Sequence, residues 1–461
     1  MPRWLRQSIL PLYLLACLLL GGSTRAPWPN MTLQLGAVAI LAWAALAAPR
    51  FQTGRPGAQL AVLVAAMIGL IMLQLIPLPP ALWSALPGRE AIAYGYDLLG
   101  QPRPWLPLSL APYDTLASAL WLLPPLAILA GMLRLGAFRE RWMALAILIA
   151  AVAGILLGVL QITSADVVTS PWYLYAITNH GSLAGFFANS NHMATLLVAT
   201  LPFLVAIYGA GRRQGSSRRG SASAGQLALL GGAMLVVLTG LLLNRSLAGL
   251  ALGLVAIGAT ALVRVRLDQP RARWGLAAVG IVGLVAVAAI IASPLQNNLT
   301  TAGAQRDASS RYTSFGNSLR ATADHFPIGS GVGSFAEVYP AYEDPNRVDR
   351  WYINHVHNDF IELALETGLP GILIIAAFIL WWMQRVTAIW RAPEIDPFAR
   401  AATIASGAIL LHSMVDFPLR VTGISAVFAF CVALMVGVRR LSVVETPGEA
   451  NAQGARHLAI G

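Results

Sequence analysis

The chain has 461 residues, of which 57% are hydrophobic and 11% charged, with a formal net charge of +11. A soluble domain carries about 25% charge, so this composition excludes a large soluble helical protein and reads as a polytopic membrane protein. All 31 basic residues are arginine, and most lie in short loops between apolar runs, a pattern of membrane topology that excludes a nucleic-acid-binding stripe.

Runs of about 17–25 apolar residues are long enough to cross a bilayer. They predict an all-α fold of twelve transmembrane helices near 8–22, 33–48, 59–77, 113–133, 142–162, 190–210, 226–243, 247–263, 274–292, 366–384, 401–416 and 420–438. Leu14-Leu15-Ala16-Cys17 loosely resembles a lipoprotein cleavage box, but the apolar run continues past Cys17, so the first helix is expected to be retained. Cys17 and Cys431 both fall inside apolar runs and imply neither a disulfide framework nor a thiolate metal site. With the N-terminus in the cytoplasm and alternating sides, 21 of the 31 arginines fall in inner segments and the outer loop 163–184 has none. The positive-inside rule therefore predicts both termini inside.

Residues 78–112, rich in proline and carrying Trp83 and Trp105, are expected to form an interfacial loop with its aromatics at headgroup level. The Arg/Gly/Ser stretch 211–225 and the tail 441–461 read as flexible cytoplasmic segments, which leaves residues 1–440 as a single integral membrane domain. Residues 227–263 are apolar except at Asn244-Arg245-Ser246. At 1.5 Å per residue one helix there would be about 55 Å long, too long for a core of roughly 30 Å. Burying Arg245 at mid-membrane would cost about 2.5–3.5 kcal/mol, so a hairpin turning at Arg245 on the outer face is predicted. Residues 293–365 form the largest hydrophilic insert, an outer loop between the ninth and tenth helices. It is too long for a connector and is read as functional.

The densest polar stretch runs from Trp351 to Gly371. Asp359 with Glu362 three residues on reads as a capping box, which starts a helix near Phe360. His357 and Asn358 would then precede a helix N-terminus that favours an anion. Gly368, with Pro370 after it, predicts a helix stop. The predicted topology gathers this stretch with other outer-face polar residues: Asn189, Asn191, His192, Arg245, Arg311, Arg320, His325, His355, His412 and Asp416. Simpler readings exist for several of them. Arg245 could be an interface anchor and Arg311 a solvated loop arginine. Asn191 and His192 could cap a helix, and His412 with Asp416 could close a helix–helix contact. No third ligand at metal spacing accompanies His355 and His357, which argues against zinc.

Arginine forks bind phosphate oxygens bidentately and stay charged. A histidine can take a proton from a hydroxyl nucleophile near neutral pH. Together they describe substitution at a carbon bearing a diphosphate leaving group, with arginines stabilising the departing charge. A lipid-linked sugar diphosphate is the natural substrate at such a location.

His357-Asn358, nine intervening residues and Gly368-Leu369-Pro370-Gly371 match a His-Asn-x9-Gly-x-x-Gly signature, and the chain resembles the O-antigen ligase and polymerase superfamily. Asn244-Arg245-Ser246 is similar to the family's outer-edge arginine motif. Arg311 followed by His325-Phe326-Pro327-Ile328-Gly329-Ser330-Gly331-Val332-Gly333-Ser334-Phe335 is similar to its arginine and glycine-rich loop. The resemblance covers roughly residues 185–420. It implies a C-type glycosyltransferase-like fold acting without a metal or other cofactor at the periplasmic face of the bacterial inner membrane, on an undecaprenyl-diphosphate-linked glycan. By motif, His357 would be the base or acceptor-positioning group, and Arg245 and Arg311 would grip the diphosphate. His355 is a second catalytic candidate, with Asn358, Asn191, His192, Arg320, His412 and Asp416 in support.

The acceptor is left open among lipid A-core, a growing polysaccharide and a protein. The stretch 185–192 looks more like exopolysaccharide polymerases and protein O-oligosaccharyltransferases of the same superfamily. A transporter is the alternative of a different class, since twelve spans with both termini inside also describe secondary carriers. A carrier should carry ionisable residues near the midplane, and here the spans are free of central charge.

Overall fold

The computed structural model describes residues 2–24, 26–48, 51–214, 224–265, 302–346, 353–437 and 439–440, with isolated residues between 274 and 285. The protein is mostly helical. The longer helices are α1 (Arg3–Leu20), α2 (Pro27–Leu46), α3 (Gly54–Gln74), α4 (Pro112–Leu135), α5 (Glu140–Ile162), α6 (Ser190–Gln214), α7 (Ala224–Asn244), α8 (Leu247–Ala261), α9 (Ala302–Asp324), α10 (Asp359–Arg391), α11 (Pro397–His412) and α12 (Thr422–Val436), all but α9 belonging to the bundle. Seven of these (α2 to α7, and α10) are long and apolar enough to cross a membrane, and α8, α12 and most of α1 are shorter apolar helices. The span expected near 274–292 lies largely outside the described residues, as do the stretch 211–225 in part and the tail 441–461.

The bundle is organised around α6, whose most apolar window is 83% buried against 17% for α3 and α7. It packs against α5, α7, α8 and α11. Ala399, Ala401, Ala402, Ala405 and Ala408 are buried on α11. These small side chains on α11 let it pack extensively against α6, which is how helices associate without a hydrophobic drive between them.

The turn at Asn244-Arg245-Ser246 is the expected hairpin. Asn244 is buried, and its side-chain amide donates to the carbonyls of Leu183 (2.6 Å) and Ser190 (2.8 Å). Ser246 caps α8, accepting from Gly249 N–H at 3.0 Å. Arg245 is left exposed between them.

Hydrogen bonds define two ends of the bundle. At one, Ala188 N–H donates to Gly22, Gly423 N–H to Gly21 and Asp359 N–H to Ser413. At the other, arginines tie helix ends together: Arg134 to the Ala44 carbonyl, Arg139 to Gln7, Arg385 to the Met435 carbonyl and Arg400 to the Val265 carbonyl. These four belong to the segments that the arginine count assigns to the inside.

Helix α10 starts where a helix is expected near Phe360, but with a different cap and ahead of the apolar span. It begins at Asp359, seven residues before the predicted span, and its N-cap is Asn358, whose side chain accepts from Phe360 (3.0 Å) and Ile361 (3.1 Å) N–H. Hydropathy misses this first turn because Asp359, Glu362 and Glu366 read as water-facing, whereas the last two are fully buried. Asp359 is therefore not a cap and Glu362 does not close a capping box. Gly368 breaks the helix as expected, with φ 57° and ψ −149°, and a second helical segment continues to Arg391.

The glycine-rich loop explains the break. Ser330 and Gly331 N–H donate to the carbonyls of Leu365 (3.0 Å) and Glu366 (2.8 Å), and Leu369 N–H donates to Pro327 at 2.8 Å. A Cβ on Gly329 would meet Gly368 N at 2.7 Å, and one on Gly368 would collide with the Pro327 carbonyl. Two backbones thus touch where side chains cannot fit. Gly368→Ala is expected to destabilise the protein by about 1–3 kcal/mol, read as a lower melting temperature in detergent with the apolar spans unaltered.

The described residues of the insert 293–365 include a packed unit. α9 carries Ala321 onto Phe335, Val338, Tyr339, Val356 and Leu365, forming a small core separate from that of the bundle. The proline-rich segment 78–112 leans on the same unit. Leu110 N–H donates to Ser330 and Thr115 Oγ1 to Val332. Trp105 is exposed, but Trp83 is 1% exposed, with its indole N–H on the Pro104 carbonyl at 2.8 Å. Its burial under the segment's own backbone corrects the headgroup-level assignment.

Candidate active site at one end of the bundle

The site forms where the α6 N-terminus, the α10 N-terminus and the turn between α11 and α12 meet. Asp416, fully buried in that turn, is its hub. Its Oδ2 accepts from Asn191 Nδ2 at 2.6 Å and Asn189 Nδ2 at 3.4 Å, and its Oδ1 accepts from Phe417 N–H at 2.9 Å. His357 Nδ1 lies 3.2 Å from the same Oδ1. An ionised carboxylate only accepts, so facing one this imidazole would carry its proton on Nδ1 and keep Nε2 for another partner.

His357 is 26% exposed while Asp416 is 0% exposed, so the imidazole is the part of the pair that reaches the surface. Among the described residues, His357 (φ 59°) and Arg245 (φ 64°) are the two non-glycine residues with left-handed backbone. That conformation is uncommon for such side chains and collects at functional sites.

His355 makes a parallel arrangement. Its Nδ1 lies 2.8 Å from Glu362 Oε1, with the imidazole 13% exposed and the carboxylate 1% exposed. Glu362 also accepts from Val356 N–H at 2.8 Å. Arg420 enters from just before α12 and meets Glu362 at 3.1 Å, Glu366 at 2.8 Å and Asp359 at 3.5 Å. Burial works against the charged guanidinium, and the three carboxylates more than offset it, holding the Arg420 pKa above its ordinary value.

Phe417 joins the two arrangements. Its ring centroid is 4.2 Å from His355, 5.0 Å from His357 and 5.0 Å from His192. His192 is buried, with Nε2 3.9 Å from Asp416 Oδ1. His412 is also buried and lies 2.7 Å from Thr195 Oγ1, tying α11 to α6. Its geometry is that of the helix–helix contact.

The remaining sequence candidates are placed differently. Asn358 is the cap of α10 and donates to the Met414 carbonyl at 2.8 Å. The helix N-terminus expected to favour an anion does not offer one a site. Asp359 N–H is taken by Ser413, Phe360 and Ile361 N–H by the Asn358 side chain, and three carboxylates crowd the first turns. Arg245 is linked to the site through its neighbour Asn244, which holds Ser190 at the start of α6. Arg320 lies elsewhere, exposed on α9 with Nη2 on Asn317 Oδ1 at 2.6 Å, lining a surface groove with Tyr342, Glu343 and Asp344. The Arg311 side chain lies outside the described residues.

His325 is buried against Gly88, its Nδ1 2.9 Å from the Ala321 carbonyl, and burial pulls its pKa below the usual range. It packs the insert rather than joining the site. The glycine-rich loop likewise has its N–H groups occupied, Val332 by Gln74 Oε1 and Gly333 by Glu366 Oε1, both at 2.9 Å. Among the described residues, no group of three His, Cys, Asp or Glu side chains has the arrangement to hold a metal ion.

Sequence reading missed Arg420, Phe417, and Glu362 and Glu366 as buried acids. One signal was available: Asp359, Glu362 and Glu366 share a helical face at spacings of three and four, which called for a cation between apolar runs.

Residues 232–376 match the family model described as O-antigen ligase. The match supports the O-antigen ligase superfamily for this chain and bears out that resemblance over a segment holding Arg245, the glycine-rich loop and the His357–Gly371 motif. It also supports ligase- or polymerase-type activity in general. Asn189 to His192 and His412 to Arg420 lie outside it, so their place in the site rests on geometry. No curated protein matches the chain.

Proposed function

We propose that this chain, matching the O-antigen ligase family over 232–376, transfers a glycan from an undecaprenyl-diphosphate carrier to an acceptor hydroxyl at the periplasmic face of the bacterial inner membrane. It would act as O-antigen ligase or as O-antigen or exopolysaccharide polymerase. The observation that carries this reading is the His357–Asp416 pair, an accessible imidazole whose Nδ1 is held by a buried carboxylate at 3.2 Å.

In this reading, His357 Nε2 takes the proton of the acceptor hydroxyl as its oxygen attacks the anomeric carbon. The bond from that carbon to the phosphate oxygen breaks, and its electron pair leaves with the diphosphate. Asp416 keeps the imidazole in the correct tautomer and balances the charge it gains. Arg245, exposed beside the α6 N-terminus, grips the departing diphosphate, with Arg311 as a second candidate. A cavity of about 390 Å³ between α3, α4, α10 and α12 has apolar walls and ends at Asp359, Glu366 and Arg420. Its chemistry suits the chain of a lipid carrier.

The ionisable groups gather at helix ends rather than at mid-helix, which favours an enzyme over a carrier. A protein acceptor would use the same chemistry, so purified protein and lipid-linked donor should be mixed with lipid A-core, polysaccharide and protein acceptors in turn. No product with any acceptor rejects the reading. Arg245→Lys is expected to lose at least about tenfold in transfer rate, because an ammonium cannot make the bidentate contact. EDTA is expected to leave transfer unchanged, and loss of activity in chelator would return the reaction to metal chemistry.

A further inference from the structure

Arg420, Glu362 and Glu366 form the most strongly charged buried cluster of the site, yet the step above does not use them. An arginine beside a diphosphate site would ordinarily be assigned to the phosphate. Here its guanidinium is already occupied by three carboxylates at 2.8, 3.1 and 3.5 Å. Its Nη1 and Nη2 are engaged by Glu362 and Glu366 and its Nε faces Asp359, and these acids would repel a phosphate. What the cluster does hold is His355, through Glu362 Oε1 at 2.8 Å.

The two histidine–carboxylate pairs share a design. In each, Nδ1 faces a carboxylate that is 1% exposed or less, while the imidazole reaches the surface. Both imidazoles rest on Phe417, at 4.2 and 5.0 Å, so they can be no farther apart than the sum of those distances. Donation from Nδ1 leaves each Nε2 as the ring atom available to a substrate. The anchors differ. Asp416 is held by neutral amides, whereas Glu362 is fixed by Arg420. Arg420 also joins the α10 N-terminus to the turn that carries Asp416 and Phe417, alongside the bond from Leu419 N–H to Asp359 Oδ2 at 3.3 Å.

We propose that His355 is a second substrate-facing histidine whose Nε2 binds a sugar hydroxyl beside the reacting centre, and that Glu362 and Arg420 are positioning residues acting through it. The proposal rests on the glycan-transfer reading and assigns the second imidazole of that site.

The test is a double-mutant cycle on full-length protein in detergent, with purified lipid-linked glycan as donor. His355→Ala and Glu362→Gln are each expected to lower kcat by roughly 10- to 100-fold. The double variant should be no slower than His355→Ala alone, because Glu362 acts only through the imidazole. Losses that multiply would show a general structural role and overturn the proposal, as would wild-type rates in either single variant. His355→Asn, which keeps a hydrogen-bonding side chain, should recover part of the loss.

A readout independent of turnover is 15N NMR of labelled histidine. One Nδ1-protonated signal should vanish in His355→Ala and shift in Glu362→Gln, and an unshifted signal overturns the proposal. His357→Ala separates the two layers. If the wild type transfers glycan and His357→Ala does not, while His355→Ala is fully active, this proposal alone fails. If the wild type transfers nothing to any acceptor, the glycan-transfer reading fails and takes the proposal with it.

Discussion

His357→Ala is expected to abolish glycan transfer, a loss of about 10²–10⁴-fold, the usual contribution of a positioned general base. The effect should fall on chemistry rather than on folding. The imidazole is 26% exposed, so its removal opens no sealed cavity, and melting temperature and membrane insertion should stay at wild-type values. Asp416→Asn should lose activity on the same scale for a different reason. An amide at this position can turn its N–H₂ toward His357 Nδ1 and select the wrong tautomer, and the Asn189 and Asn191 amides that now donate to Asp416 Oδ2 would meet a weaker acceptor. Product on a gel, from purified donor and acceptor, measures both. Full activity of His357→Ala would remove the mechanism.

Arg420→Met is expected to be among the most destabilising substitutions in the protein, by about 3–5 kcal/mol. The arginine stands between Glu362 and Glu366, each 1% exposed, and Asp359, 11% exposed. Deleting it leaves like charges facing one another without water to screen them. Detergent-solubilised protein unfolds irreversibly in general, so the check is a melting temperature at fixed scan rate. Glu366→Gln in the Arg420→Met background should recover part of the loss, because it removes one of the stranded charges. An unchanged melting temperature in Arg420→Met would mean that the cluster contributes no net stability.

Several features were legible in the chain because they depend on local chemistry. The hairpin at Asn244-Arg245-Ser246 follows from the length of the apolar run and the cost of burying one arginine, and the structure turns there. The break at Gly368 follows from a glycine with a proline two residues on. Other expectations failed where a distant partner decided the outcome. Trp83 reads as a headgroup aromatic until its indole is seen on Pro104. Glu362 reads as half of a capping box until Arg420, far along the chain, takes its carboxylate. Arg320 reads as a site arginine because it shares the insert with His355 and His357, but it is exposed on α9 and held by Asn317.

The site divides in the same way. Arg245 and His357 could be named from their motifs, and both adopt the left-handed backbone rare outside glycine. Asp416 could be named only as a supporting residue one helical turn from His412. That it serves His357, and His412 serves Thr195, depends on how α11 meets α6. By itself the sequence determined that this is a helical membrane protein, where its apolar runs fall, and which arginine and histidine motifs it carries. Those properties follow from hydropathy, chain length and residue type over short spans. Only the tertiary structure decided which carboxylate faces which imidazole, that Arg420 is spent on acids rather than left for phosphate, and that the glycine-rich loop clasps a broken helix. Apart from His355 and Glu362, seven residues apart, these are contacts between residues 33 or more positions apart, set by helix packing that no local pattern encodes.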